Sequence, residues 1–89
     1  MKFVYDIADN GHNKMTFDYD EEARERLEAK IEGDNVVLYA NKEGMVTLAK
    51  TLLKMAHGSY SNGFHVHLRK DFDASNPETI AIVLATDAE

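Results

Sequence analysis

The chain of 89 residues has no cysteine, no tryptophan and a single proline. Without cysteine it cannot build a disulfide framework, a zinc-thiolate cluster or a thiol nucleophile. Its apolar runs fall far short of the roughly 20 residues that span a bilayer, so no membrane segment is predicted. Asp6 and Asp9 interrupt the N-terminal residues, which therefore lack the pattern of an export signal. We expect a cytoplasmic protein.

Basic residues are also scarce. Ten Lys and Arg stand against sixteen Asp and Glu, for a net charge of −6. A nucleic-acid binder needs cations that replace counterions on phosphates, so this balance argues against that class. An apolar share of 44% is typical of a soluble globular protein. The length predicts one domain, residues 1–89.

The acidic residues are concentrated near the end of the first quarter of the chain. The densest group is the acidic cluster Asp18, Asp20, Glu21, Glu22 and Glu25. One interpretation is a solvated surface that keeps a small domain monomeric or weakly dimeric. The other is a surface that steers a basic partner protein towards the chain. Composition leaves both open.

Alternating apolar residues predict several strands. Residues 1–8 and 15–19 alternate in this way and are expected to form a first hairpin. Residues 20–30 fit a helix and a strand equally well. The turn signal Gly33-Asp34-Asn35 and the apolar residues 36–40 after it favour a second hairpin.

A helix is predicted over residues 42–57, with Asn41 as N-cap and Gly58 at its end. Apolar side chains recur at steps of three and four residues: Met45, Leu48, Ala49, Leu52, Leu53 and Ala56. We expect Leu52 and Leu53 to face a sheet. Leu52→Ala should then lower the free energy of unfolding by about 2–5 kcal/mol.

Two further strand patterns cover residues 64–68 and 79–85. Together with the two hairpins they predict an α+β fold. Its two layers would be an antiparallel sheet of five or six strands and the amphipathic helix 42–57 packed on one face of that sheet.

His65 and His67 lie two positions apart and would share one face of a strand. A metal site there would need a third ligand, such as Asp71 or Asp73. The interpretation we favour is that both histidines and Arg69 form the polar face of a half-exposed strand, with no cofactor. The sequence contains no nucleophile elbow, Walker loop or dinucleotide fingerprint. We therefore do not expect an enzyme.

Three segments follow one another in a distinctive order. A strand leads into Asn41-Lys42-Glu43-Gly44, a leucine-rich helix follows, and then comes Gly63-Phe64-His65-Val66-His67-Leu68. This order, over roughly residues 33–85, resembles the immunity protein 32 family of bacterial polymorphic toxin systems. The resemblance implies a cytosolic antidote that binds a cognate toxin domain, often a nuclease. No toxin contact carries over residue by residue.

For a basic toxin, we expect the partner-binding residues to come from the acidic cluster and from the polar face of the histidine strand. These residues are Asp18, Asp20, Glu21, Glu22, Glu25, His65, His67 and Arg69. Two alternatives stay open: a small metal-binding protein that uses His65 and His67, and a structural domain that oligomerises through an apolar patch.

Overall fold

A computed structural model describes residues 1–5 and 24–86 of the chain. Its elements are β1 (Leu27–Glu32), β2 (Asn35–Ala40), α1 (Lys42–His57), β3 (His65–Arg69), a short 3-10 segment (Lys70–Phe72) and β4 (Thr79–Val83). The predicted α+β class, the helix bounds and the hairpin after residue 26 are confirmed. No helix in this part of the chain is long and apolar enough to cross a membrane.

The strands do not form one sheet. β1 pairs with β2 and β3 pairs with β4, which gives two antiparallel sheets of two strands each among the described residues. The expectation of five or six strands in one sheet was wrong. At the start of β1, the Leu27 N–H donates to the Asp71 carboxylate (3.0 Å), which links the first hairpin to the segment after β3 by a side chain.

The predicted N-terminal hairpin is only partly covered by the structure. Residues 1–5 have no regular secondary structure, contrary to the strand expected there. The rest of that hairpin, residues 6–8 and 15–19, lies outside the described residues, as does the first part of the ambiguous segment, residues 20–23.

The β1–β2 hairpin turns at Gly33, whose φ of 62° is a conformation that glycine adopts without steric cost. Its register places Leu27 opposite Ala40 and Ile31 opposite Val36, so all four side chains share one face. Leu27 is fully buried, whereas Ile31 and Val36 are exposed. The hairpin is thus anchored at one end and projects from the core at the other.

The core joins one residue of β1, one of α1 and two of β3. Leu27, Met55, Val66 and Leu68 are buried and form one cluster. Partly buried apolar side chains surround them: Ala40, Leu48, Phe64, Phe72, Ile80, Ile82 and Leu84. Helix and sheets therefore meet around a small centre, which fits a domain of this length.

Helix α1 begins as the sequence predicts. The Asn41 side-chain oxygen accepts a hydrogen bond from the Gly44 N–H (2.8 Å), as an N-cap does. At the other end Gly58 has extended backbone (φ −80°) instead of the left-handed cap that is usual for glycine. Glycine is needed there for space, since a Cβ would lie 2.3 Å from the Tyr60 ring.

The side of α1 that packs inward differs from the one expected. Leu52 and Leu53 are 44% and 42% exposed, so the assignment of both to the core was wrong. The buried side instead consists of Gly44, Thr47, Thr51, Lys54 and Met55. Its small residues let the helix backbone approach segment 24–27, and a Cβ on Gly44 would lie 2.1 Å from the Arg26 carbonyl oxygen.

Candidate functional site

The Asn-Lys-Glu-Gly motif forms a junction between α1 and the chain before β1. Besides capping the helix, the Asn41 side chain accepts from the Arg26 N–H (2.9 Å) and donates to the Arg24 carbonyl. Gly44 leaves the space into which the Arg26 carbonyl fits. The motif that carries the family resemblance therefore has a structural role, which is to fix the helix start against residues 24–26.

Asp71 holds the same segment from the opposite side. Its carboxylate accepts from the Leu27 N–H (3.0 Å) and from the Arg26 guanidinium (3.1 Å). Asp71 has a φ of 56°, an uncommon conformation that Asp and Asn adopt more readily than most residues. The loop after β3 is thereby tied to the start of β1.

Lys70 adds a charged link between the same two regions. Its ammonium lies 3.2 Å from Glu28 of β1 and 3.7 Å from Glu78. The hydrogen bond and charge of Glu28, with the charge of Glu78, raise the pKa of Lys70 above its ordinary value. The pair is partly exposed, so it contributes little to stability.

Strand β3 has the polar face that the alternation in the sequence predicts. Val66 and Leu68 point into the core, while His65, His67 and Arg69 are exposed on the other face. The two imidazole rings meet edge to face with centres 5.2 Å apart. The Arg69 guanidinium donates to the Asn76 carbonyl (2.8 Å) in the connection between β3 and β4. Three polar side chains are thus presented together.

The aspartates that were considered as a third metal ligand make other contacts. Asp71 binds Arg26 and Leu27, as described above. Asp73 accepts from the hydroxyl and the backbone N–H of Ser75, and these bonds lower the pKa of Asp73. Among the described residues, no group of three His, Cys, Asp or Glu side chains lies close enough to hold a metal ion.

Of the five residues of the acidic cluster, the structure describes only Glu25. Asp18, Asp20, Glu21 and Glu22 lie outside the described residues. Glu25 is only 9% exposed, and its Oε2 atom is buried without a hydrogen-bond partner among the described residues. Its environment therefore differs from that of a solvated surface acid, and its part in partner binding stays a prediction.

The sequence reasoning missed a groove on the outer side of α1. This outer groove has a volume of about 670 Å³ and lies between residues 3–5 and the helix. Its apolar lining includes Met45, Val46, Ala49, Leu53 and the rings of Tyr5 and Tyr60. The signal was present in the breadth of the apolar face of the helix, which exceeds what one small core can cover.

Comparison with protein families gives a match over residues 35–85. The model of the family described as immunity protein 32 matches residues 35–85, which is more than half of the chain. The match begins at β2 and ends just after β4, so it includes the helix junction and the polar face of β3. The resemblance seen in the sequence is confirmed. No curated protein and no solved structure matches the chain significantly.

Proposed function

The chain belongs to the immunity protein 32 family, and we propose that it is an antidote that binds and neutralises a cognate bacterial toxin domain. The family match over residues 35–85 is the observation that carries this proposal. Inhibition would be by protein–protein contact, in which the antidote covers a surface that the toxin needs. Such a mechanism requires no catalytic group and no cofactor, and it would act in the cytoplasm.

The net charge of −6 supports a basic toxin, such as a nuclease. A nuclease active site is lined with cations that hold phosphates, and an acidic protein can occupy it through complementary charge. Charge complementarity also speeds the encounter, which matters because a toxin acts until it is bound. We propose that the first electrostatic contact is made by the acidic cluster, chiefly by Asp18, Asp20, Glu21 and Glu22, because Glu25 is buried.

The polar face of β3 is the second part of the proposed contact. His65, His67 and Arg69 are exposed side by side on one strand. Their rings and guanidinium offer hydrogen-bond donors and flat surfaces, which are common in protein interfaces. The buried Val66 and Leu68 between them fix the strand backbone against the core, so binding need not order the backbone of β3.

Co-purification with the product of the adjacent gene tests the function directly. Stopped-flow mixing with that toxin domain, inactivated by mutation, then tests the acidic cluster. The on-rate should fall as salt rises, because the screening length shortens to about 8 Å at physiological ionic strength. Replacing Glu21 and Glu22 together by Lys should lower the on-rate further and leave the melting temperature almost unchanged.

A charge-matched control separates the cluster from net charge. Asp34 and Glu43 are exposed acids in the hairpin turn and the first helical turn. Replacing both by Lys alters net charge equally and should slow binding less than the Glu21/Glu22 variant. Equal on-rates for the two variants would exclude a special role of the cluster. Absence of any binding by the unmodified protein would refute the antidote assignment.

A further inference from the structure

The outer groove has an apolar floor on a helix. Met45, Val46 and Leu53 line it together with Ala49, and the first three each expose at least 40% of their surface. Isolated exposed apolar side chains are ordinary on protein surfaces, but several that line one groove are typical of a binding surface. Residues 3–5 form the opposite wall and add two aromatic rings, so these side chains lie in a concave site.

A lysine lies at the edge of the described part of the groove. Lys50 lines it, and none of the described lining residues is acidic. The Lys50 ammonium lies 4.8 Å from the centre of the Tyr5 ring, which places a positive charge at the boundary of the two walls. The described lining therefore offers a carboxylate one cationic contact, at Lys50.

We propose that the outer groove binds an amphipathic segment of the toxin domain that carries apolar side chains beside carboxylates. The apolar side chains would pack against those of α1 and the wall of residues 3–5, and a carboxylate would meet Lys50. The inference rests on the proposed antidote function and adds a second contact of opposite charge to the acidic cluster. The acidic cluster of the antidote would then contact the cationic site of the toxin, and the outer groove would bind an apolar segment of the toxin that carries carboxylates.

Matched substitutions test the groove. Val46 lines it and is 40% exposed, whereas Val36 is 74% exposed at the far end of the β1–β2 hairpin. Val46→Glu should weaken binding to the adjacent gene's toxin domain by about 30-fold, the effect of losing a central interface contact. Val36→Glu adds the same charge away from the groove and should leave the dissociation constant within about threefold.

The charge of the bound segment is tested by Lys50→Glu against Lys42→Glu. Lys42 begins α1 and does not line the outer groove. Lys50→Glu should weaken binding by about tenfold and Lys42→Glu by much less, because only Lys50 would face a carboxylate. Thermal unfolding of all four variants checks that each is folded, and the substituted positions on the groove are partly exposed, so folding should survive.

The outcomes separate this inference from the proposed function. Loss of binding in Val46→Glu and Lys50→Glu, with both controls near the unmodified protein, supports the groove. Unchanged binding in both groove variants overturns it while the antidote function stands. A dimer in sedimentation that Val46→Glu dissociates would also overturn it, since a second copy would then occupy the groove. No binding by the unmodified protein overturns both.

Discussion

Helix α1 has two stripes of similar spacing in different surroundings. The inner stripe, Gly44, Thr47, Thr51, Lys54 and Met55, packs towards the core and residues 24–27. The outer stripe, Met45, Val46, Leu52 and Leu53, is exposed, and all of it except Leu52 lines the groove beside residues 3–5. The two begin one residue apart, about 100° around the helix.

The difference between the stripes shows what decides burial in so small a domain. The inner stripe is compact, because Gly44 admits the Arg26 carbonyl and Thr51 satisfies its hydroxyl by donating to the Thr47 carbonyl (2.9 Å). The outer stripe has larger apolar side chains but no comparable close approach. The side of α1 that is buried is thus the one that allows close backbone contact and satisfied hydrogen bonds, although the other side has more apolar surface.

The largest expected effect comes from truncating one long side chain on each stripe. Met55 is 4% exposed, and Met55→Ala should lower the free energy of unfolding by about 2–5 kcal/mol. Leu52→Ala, at a position 44% exposed, should cost about 1 kcal/mol or less. Urea unfolding of the two variants measures both values. A larger cost for Leu52→Ala would show that the outer stripe is the true core face.

The next effect concerns the close approach at Gly44. A Cβ there would lie 2.1 Å from the Arg26 carbonyl oxygen, so Gly44→Ala should destabilise by about 1–3 kcal/mol through overpacking. Helix propensity alone would make the same change stabilising by about 1 kcal/mol. Ala49→Gly, at an exposed position of α1, is the control and should cost about 1 kcal/mol. Stabilisation by Gly44→Ala in thermal unfolding would contradict the close contact.

A third substitution removes the anchor that holds segment 24–27 near the inner stripe. Asp71→Ala leaves the Leu27 N–H without its acceptor and should destabilise by about 1–3 kcal/mol. Asp71→Asn keeps an oxygen acceptor and tolerates the positive φ, so it should cost less. Hydrogen exchange at the Leu27 amide should accelerate in Asp71→Ala. Equal protection in both variants would show that this bond is not what holds the segment.

The smallest expected effect is a dependence of the free energy of unfolding on pH. The pKa of Lys70 is raised by Glu28 and Glu78, so its charged form stabilises the folded state fully below the ordinary lysine pKa of 10.5. That contribution is lost as the pH rises through the higher pKa of the folded state. The pKa of Tyr39 is raised by its hydrogen bond to Glu32, and its contribution has the same sign.

Unfolding experiments from about pH 8 to about pH 12 can separate the two groups. Lys70→Gln and Tyr39→Phe should each flatten part of the alkaline decline in stability, and the double variant should flatten more. Each change is small, because both groups are solvent-exposed. A steeper decline in Lys70→Gln would mean that folding lowers the pKa of Lys70 instead of raising it.

Most of the described elements were readable from the sequence, although the strand expected over residues 1–5 was wrong. The glycine turn and alternating residues predicted β1 and β2, the Asn41 cap and three-and-four spacing predicted α1, and alternation predicted the buried Val66 and Leu68 of β3. These signals are local, and each follows from the geometry of one strand or one helical turn.

The arrangement of the elements was not readable. Periodicity favours an apolar stripe, and it gave no reason to bury Gly44, Thr47 and Thr51 ahead of Leu52. Their burial depends on a carbonyl contributed by Arg26, which is 18 residues away from Gly44 along the chain. The Asp71 anchor likewise joins residues 44 positions apart. The breadth of the apolar face of α1 indicated that part of it would stay exposed, but which part stays exposed follows from the same choice of helix face.

The two hairpins also have a consequence for how quickly the protein forms. β1 and β2 pair from Glu32–Asn35 out to Leu27–Ala40, so every contact between these two strands closes only a short loop. β3 and β4 pair from Arg69–Thr79 to His65–Val83, which is again a short span. Each hairpin can therefore form early from local contacts. The core cluster that joins Leu27 to Val66 and Leu68, and the Asp71 anchor across 44 positions, close much longer loops, so the main phase of stopped-flow refolding should report the docking of the two hairpins.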